Sequence, residues 1–300
     1  MDWITGIQRA IDYIEAHLTE ELDYEEIARE SFSSKFHFQR VFSILCGYSL
    51  GDYIRNRRLT LAGAELVAGH EKIIDIAAKY GYESPDSFCK AFQKFHGITP
   101  SQARETNASL RSFSRLSIRI SLEGGCKNNY RIEYKPTMLL TGYGTRFTGN
   151  PNDRGRQDHD FVCENRLYEY ILEGMSGQHE NVYQVLKDFT DDGYNFYCAY
   201  ELPKWALEDF DQDLGEMANH FEHIQIPAGT YLICETERCE YPVELMEDLR
   251  KQAITQWIVS SDYVLREAPE LGVIHWPFEE GNDAVNHSRY CEIWLPVERK

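Results

Sequence analysis

The sequence predicts a multidomain chain: an all-α domain holding two helix-turn-helix units, followed by an α+β domain made of a duplicated strand–helix–strand–strand unit. Three observations carry that reading. The 300 residues are about twice the ~150-residue scale of one domain. Charge is split unevenly: residues 1–127 hold 16 Lys/Arg against 17 Asp/Glu, whereas 128–300 hold 15 against 32, so almost all of the net −18 belongs to the second part. Each part also repeats itself, at an offset of 49–50 residues in the first and 91–93 in the second. The expected division is a helical domain over 1–107, a linker over 108–128 and the α+β domain over 129–300.

Composition excludes several classes. With 42% apolar and 13% aromatic residues the chain has material for packed cores, unlike a disordered one. No stretch approaches the ~18 apolar residues of a membrane span. Met1-Asp2-Trp3-Ile4 lacks the basic and apolar regions of a secretory signal, so a cytoplasmic location without membrane partners is expected. Eight cysteines include no CxxC pair, so no zinc site or disulfide framework is indicated, and neither metal nor cofactor is expected. There is no GxSxG, HExxH or phosphate-binding glycine loop, which leaves common hydrolase and nucleotide chemistry unsupported.

Before residue 106 the spacing is helical throughout. Ile4, Ile7, Ala10, Ile11, Ile14 and Leu18 form one apolar face, and Leu22 to Glu30 a second short helix. Ser31-Phe32-Ser33 breaks it, Ser34 caps the next helix, and Gly47 ends that helix after Cys46. The pattern then returns. Ile73 to Tyr80 is a short helix, Gly81-Tyr82-Glu83 a turn, Ser84 a cap, Pro85 a first helical residue, and Gly97 a stop. Ala28 aligns with Ala77, and Ser34, Phe38, Arg40, Phe42 and Gly47 align with Ser84, Phe88, Lys90, Phe92 and Gly97. Short helix, tight turn and second helix, twice, around a joining helix from Leu50 to Val67, is a doubled helix-turn-helix. A generic bundle would share the Phe periodicity, but not both caps and both stops.

The outward faces suggest the chemistry. Phe38, Val41, Phe42 and Leu45 form the expected buried stripe of the first second-helix, leaving Phe36, Gln39, Arg40 and Ser43 outside. In the second copy Phe88, Ala91, Phe92 and Phe95 are expected inside, leaving Asp86, Cys89, Lys90 and Gln93. Gln pairs bidentately with adenine and Arg with guanine in a major groove, and Phe36 suits a thymine methyl. Arg55, Arg57 and Arg58 on the joining helix, with Lys35, Lys94 and Arg104, suit phosphates.

Phe95-His96-Gly97-Ile98-Thr99-Pro100-Ser101-Gln102-Ala103-Arg104 resembles the closing signature of the DNA-binding domain of the AraC/XylS family. Ser34 to Phe42 resembles that family's first recognition helix, and Ser49 to Arg58 its joining helix. The resemblance implies Phe36, Gln39 and Arg40, then Asp86, Ser87, Cys89 and Lys90, as base-contacting positions. Relatives more often carry Trp at the Phe36 position and a more basic second helix. Double-stranded DNA is the implied partner, at an asymmetric site over two adjacent major grooves, with RNA polymerase as a further partner.

The seam, Thr106 to Asn129, is rich in Ser and Asn and contains Gly124-Gly125. Arg111, Arg115 and Arg119 fit a short basic helix; the alternation Leu116, Ile118, Ile120 fits a strand, and the residues allow both. Beyond it the texture changes to strands rich in Tyr, Ile and Leu. Tyr130 to Phe147 and Phe221 to Glu237 each contain a strand, a proline (Pro136, Pro227) and a further strand. Helices are expected near Phe161–Met175 and Val243–Val259, and Tyr197 to Pro203 aligns with Tyr290 to Pro296.

The last strand is the most informative. Cys291, Ile293, Leu295 and Val297 make an aliphatic face, while Tyr290, Glu292 and Trp294 share the other. On residue type alone Glu292 is an ordinary surface acid. Against that, its repeat mate is Ala199, so the fold does not require an acid there, and burying one is costly without a partner. Trp257, Tyr263, Trp276 and Phe221 are further aromatics expected at the same groove. Ile226 to Tyr231, Gln256-Trp257-Ile258 and Glu292 to Val297 resemble the gyrase-inhibitor-like (GyrI-like) effector-binding domain, and the order of the two domains resembles the Rob type of regulator. That resemblance implies a small-molecule effector, apolar and cationic, held by Glu292 among aromatic side chains; Tyr290, Trp294, Trp257, Tyr263 and Trp276 are the candidates this sequence offers for those aromatics. Two rival readings of this half are a small-molecule hydrolase with Glu292 as general base, and an acidic sequestering module.

Overall fold

The computed structural model describes residues 3–105, 108–117, 130–149, 157–177, 181–258, 260–277 and 279–299. They form two compact units, one helical and one α+β.

The helical unit runs α1 (Trp3–Ala16), α2 (Tyr24–Glu30), α3 (Lys35–Cys46), α4 (Leu50–Ala68), α5 (Ile73–Lys79) and α6 (Pro85–His96). The expected caps hold. Ser34 Oγ accepts from the His37 amide at 3.2 Å, Ser84 Oγ accepts from the Ser87 amide at 3.2 Å, and Pro85 opens α6. Both turns bend through a left-handed residue, Phe32 in the first copy (φ 56°) and Gly81 in the second (φ 80°). Ile7, Ile11 and Ile14 of α1 are buried, as are Phe38, Val41 and Phe42 of α3. Around α6, Phe88 and Phe92 pack with Leu59, Leu66, Ile76 and Tyr80. Leu45, expected in the buried stripe, is exposed; Ile44 takes its place because the apolar face follows His37, Val41 and Ile44 at helical spacing.

Residues 108–117 are neither helix nor strand. They lie along the helical unit, where side chains of α4 and α6 satisfy their backbone. Thr60 Oγ1 accepts from the Phe113 amide at 2.9 Å, the Leu116 amide donates to Tyr53 Oη at 3.2 Å, and the Arg111 amide donates to His96 Nδ1 at 3.2 Å. Leu110 packs on the α6 core, and the Phe113 ring stands edge-on to Tyr48 and Tyr53. Ile118, Arg119, Ile120 and the Gly124-Gly125 pair lie outside the described residues.

The α+β unit runs β1 (Tyr130–Lys135), β2 (Met138–Thr148), α7 (Gln157–Glu164), α8 (Arg166–Ser176), β3 (Asn181–Thr190), β4 (Gly193–Tyr200), α9 (Lys204–Glu208), α10 (Phe210–Leu214), β5 (Glu222–Ile226), β6 (Gly229–Glu235), α11 (Met246–Gln252) continuing into a π-helical turn, β7 (Tyr263–Leu265), β8 (Glu270–His275), α12 (Asp283–Asn286) and β9 (Tyr290–Arg299). The duplication is visible, with the opening strand of each half divided at Pro136 or Pro227. The strand order is β1-β6-β9-β8-β3-β4-β2-β5, with β7 on β9. The leading strands are therefore exchanged: β1 pairs β6 of the second half, and β5 pairs β2 of the first.

That exchange forces curvature. β5 and β6 stand six places apart, ~29 Å across a flat sheet. Only Pro227 and Ala228 join them, ~10 Å of chain, so the sheet must curl. Tyr183, Val185, Tyr197, Ile224, Ile233 and Trp294 pack together on one face, which is the inside of the curl. The other face carries helices: Leu172 of α8 packs on Tyr143 and Cys198, and Met246 of α11 lies against Gly272.

Candidate functional site

In the helical unit α3 brings Lys35, Phe36 and Gln39 to its N-terminal turns, Lys35 exposed and the other two half-buried. Arg40 does not join them. It is only 5% exposed, because it lies three residues beyond buried His37 and four before buried Ile44, inside the covered face; its outward placement is corrected. α6 behaves as expected. Asp86, Ser87, Lys90, Gln93 and Lys94 are exposed, and Cys89 is half-buried.

The arginines expected on phosphates divide. Arg55 is exposed and pairs with Asp52 one turn away. Arg57 is a strut: its Nε and Nη2 each donate at 2.8 Å to the Glu15 carboxylate and its Nη1 donates at 2.6 Å to the Phe113 carbonyl. Burial alone would raise the Glu15 carboxyl, but hydrogen bonds from Arg57 and Tyr53 outweigh it and hold it low. Arg58 donates at 2.7 Å to the carbonyls of Leu18 and Glu20. Arg104 donates to the Glu71 carbonyl. The phosphate role of Arg57 and Arg58 is corrected on this ground, since their donors already serve the fold.

In the α+β unit strand parity decides what meets on the inner face. Glu292 and Trp294 of β9 stand opposite Glu235 and Ile233 of β6 and opposite Val273 and Leu271 of β8. Arg131 of β1 stands opposite Ile233. Glu292 is 4% exposed and fully partnered. Its Oε1 accepts from Arg131 Nη2 at 2.7 Å, its Oε2 accepts from Trp294 Nε1 at 2.6 Å, and His275 Nε2 stands 3.8 Å from Oε1. Burial raises the Glu292 carboxyl, but His275, Arg131 and Trp294 outweigh burial and bring it down to about 2.

Arg131 spreads three nitrogens over three acids: Nε to Glu133 at 2.6 Å, Nη1 to Glu235 and Nη2 to Glu292. The neighbouring rings carry cations of the same chain. Lys135 Nζ is 4.6 Å from the Trp294 ring centre, Arg238 is 4.3 Å from Tyr290, and Arg266 is 5.9 Å from Tyr231. Tyr290 also stacks on His275 at 4.1 Å.

Glu292, Tyr290 and Trp294 thus come together as expected. The other predicted aromatics keep different company. Trp257 packs on Tyr130 and Tyr263, and Tyr130 has the opposite strand parity from Arg131. Trp276 faces Tyr241 and lies under Arg289. Phe221 packs with Tyr168 and Phe210, on the side opposite to that of Glu222. The rings they touch are not those around Glu292, and Tyr263 stands opposite Arg299, of the other parity from Glu292 and Trp294, so their assignment to the Glu292 groove is corrected. Arg131, Lys135 and His275 went unforeseen, although the alternation Arg131, Glu133, Lys135 in β1 is a charged stripe readable in the sequence. Among the described residues no group of three His, Cys, Asp or Glu side chains is placed to hold a metal ion, and no helix is long and apolar enough to cross a membrane.

Comparison with known proteins divides the chain at the same place. Residues 27–116 match the family described as helix-turn-helix domain, and residues 131–297 match the family described as integron-associated effector binding protein. YbfP of Bacillus subtilis, an uncharacterized HTH-type transcriptional regulator, is 42% identical over 99 residues, 33% of this chain and 34% of that protein, so the match spans about a third of YbfP. The HTH-type transcriptional activator AarP of Providencia stuartii is 43% identical over 98 residues, 33% of this chain and 73% of AarP. The structure of an integron cassette protein of Vibrio cholerae superimposes on 56% of this chain and 95% of its own, with a TM-score of 0.37 and 14% identity. The chain belongs, over residues 131–297, to the family of integron-associated, GyrI-like effector binding proteins, and carries ahead of that region an AraC-type helix-turn-helix domain.

Proposed function

We propose that the chain is a one-component transcription regulator whose helical unit reads duplex DNA and whose α+β unit binds a small lipophilic cation. One observation carries the second part. Glu292 is buried, ionised and ringed by Trp294 and Tyr290 on the inner face of the sheet, and the groups against it are already cations. A desolvated carboxylate beside aromatic faces is the chemistry of cation recognition. For DNA, the exposed N-terminal turns of α6 and the Lys35, Phe36 and Gln39 edge of α3 supply base contacts, with Asp86, Ser87, Cys89 and Lys90 in the second groove. Arg55, Lys35 and Lys94 remain as phosphate contacts. A regulator of this kind would also touch RNA polymerase, inside the cytoplasm.

The hydrolase reading is weaker on the same observation. A general base works best with a pKa near the operating pH, and a carboxyl at about 2 is far below it. The acidic sequestering reading gains nothing from Glu292, because that charge is internal and compensated.

The experiment is a titration of full-length protein with tetraphenylphosphonium, followed by tryptophan fluorescence and calorimetry. Saturable binding is expected, weakened about tenfold or more in Glu292→Gln, with duplex DNA binding retained. Equal affinity in wild type and Glu292→Gln contradicts the site.

A further inference from the structure

The Glu292 carboxylate and the Trp294 ring are met by cations of the chain itself. Two of the cations responsible, Arg131 and Lys135, sit four residues apart on one side of a single strand, β1. β1 ends the sheet order, so among the described residues its outer edge has no strand partner, and it is the strand exchanged from the first half onto the second. Arg131 is placed on the boundary: its side chain is 35% exposed while the Glu292 side chain it pairs with is 5% exposed. Glu133 and Glu235 also hold it, so an Arg131 that releases Glu292 Oε1 keeps two carboxylates. Glu292 in turn keeps the Trp294 indole donor on its other oxygen.

We propose that β1 is a tethered competitor of the effector: Arg131 on the Glu292 carboxylate and Lys135 on the Trp294 ring occupy the two positions a lipophilic cation takes, and binding exchanges them for the ligand. This inference rests on the cation reading of the Glu292 site and adds the group that regulates it. Its consequences are physical. An apolar molecule without charge cannot take over the Arg131 contact, so the exchange selects for cations over neutral molecules of the same shape. The affinity seen from outside is the intrinsic affinity reduced by the fraction of molecules in which the competitor is withdrawn.

The test uses full-length protein, with tetraphenylphosphonium and the neutral triphenylphosphine oxide as probes in calorimetric titrations. Arg131→Gln is expected to bind the cation about tenfold more tightly than wild type. Lys135→Gln, which keeps Arg131 and the three acids but removes the Lys135 ion pair with Glu133 at 2.5 Å, is expected to gain a smaller factor by taking away the positive charge that competes for the Trp294 ring. Neither variant gains affinity for the neutral probe, and the gain from Arg131→Gln disappears in the double variant with Glu292→Gln. Arg131→Gln leaves three acids without their common partner, so its melting curve accompanies the titration, and Lys135→Gln decides the matter if that variant unfolds. Cation affinity that is unchanged or lower in folded Arg131→Gln or Lys135→Gln, with wild type binding, overturns the competitor and leaves the cation site standing. An equal gain for the neutral probe also overturns it, because that signals a loosened pocket. Absence of cation binding in wild type and every variant removes both proposals.

Discussion

The two helix-turn-helix copies share a backbone and use it differently. Each ends its short helix at a left-handed residue and starts the next on a serine cap, but the first turn bends at Phe32 and the second at Gly81. The first copy buries Arg40 and leaves Lys35 exposed, while Arg57 and Arg58 of the joining helix hold α1 and the segment after it. The second copy shows its cations to solvent, with Lys90 at the position repeating Arg40. A matched repeat position therefore fixes the helix phase and leaves open whether its side chain builds the fold or meets a partner.

Substitutions sharpen that contrast. The largest effect is expected from Arg57→Ala, which strands the Glu15 carboxylate among Tyr53 and Arg115 and frees the Phe113 carbonyl; about 3 kcal/mol of the helical unit's stability should go in urea unfolding of the full chain. An Arg57 that acts on phosphates alone would leave the unfolding curve in place and lower DNA affinity instead. Gly81→Ala puts a Cβ at a φ of 80° and 2.9 Å from Arg58 Nη1, and should cost ~1–2 kcal/mol. Phe32→Gly removes that strain from the first copy. Phe32 is 64% exposed, so little burial is lost, and a gain of ~0.5–1 kcal/mol is expected in the same measurement. If Phe32→Gly destabilises, the Arg9 contact over the Phe32 ring outweighs the backbone term, and the two turns are not equivalent.

The halves of the α+β unit differ in the same manner. At matched positions the exchanged strand β1 brings Arg131 to Glu292 of β9, while β5 and β4 offer Glu222 and Ala199, and Glu222 takes its hydrogen bond from Tyr197 instead. The ion pair should show in acid. Glu292 sits at about 2 when folded against an ordinary 4.5, so its stabilisation is present above pH ~4.5 and is lost as pH falls from there toward 2. The stability difference between wild type and Glu292→Gln should shrink across that window and stay level above it. A difference that persists unchanged at pH 2 would mean the carboxylate is not held by its neighbours.

How much of this was legible follows from what a linear pattern encodes. Apolar spacing, caps, stops and the repeat of Ser34 and Phe38 in Ser84 and Phe88 are local, and together they located the six α-helices among the described residues of the first unit. Strand parity placed Glu292 beside Tyr290 and Trp294 for the same reason. Partners brought in by exchange were out of reach: Arg131 lies 161 residues before Glu292, and nothing local indicates that β1 crosses to the other half. Arg40 failed differently. A buried face wider than the Phe38–Phe42 stripe captures a residue whose type suggests solvent. Trp257, Tyr263 and Trp276 were grouped with Glu292 by composition, and the turns of the chain placed them elsewhere.

The proposed regulator reads DNA through two unlike copies of one motif while its second unit binds a cation. The most direct measurement is selection of a random duplex library by the full-length protein at low salt, repeated with Gln39→Ala and Lys90→Ala. The account predicts one enriched, asymmetric site with two clusters of specified bases about 10 base pairs apart, each variant losing preference at a different cluster while its melting temperature stays put. Recovery of a palindrome, loss at the same cluster in both variants, or no enrichment at all would contradict it.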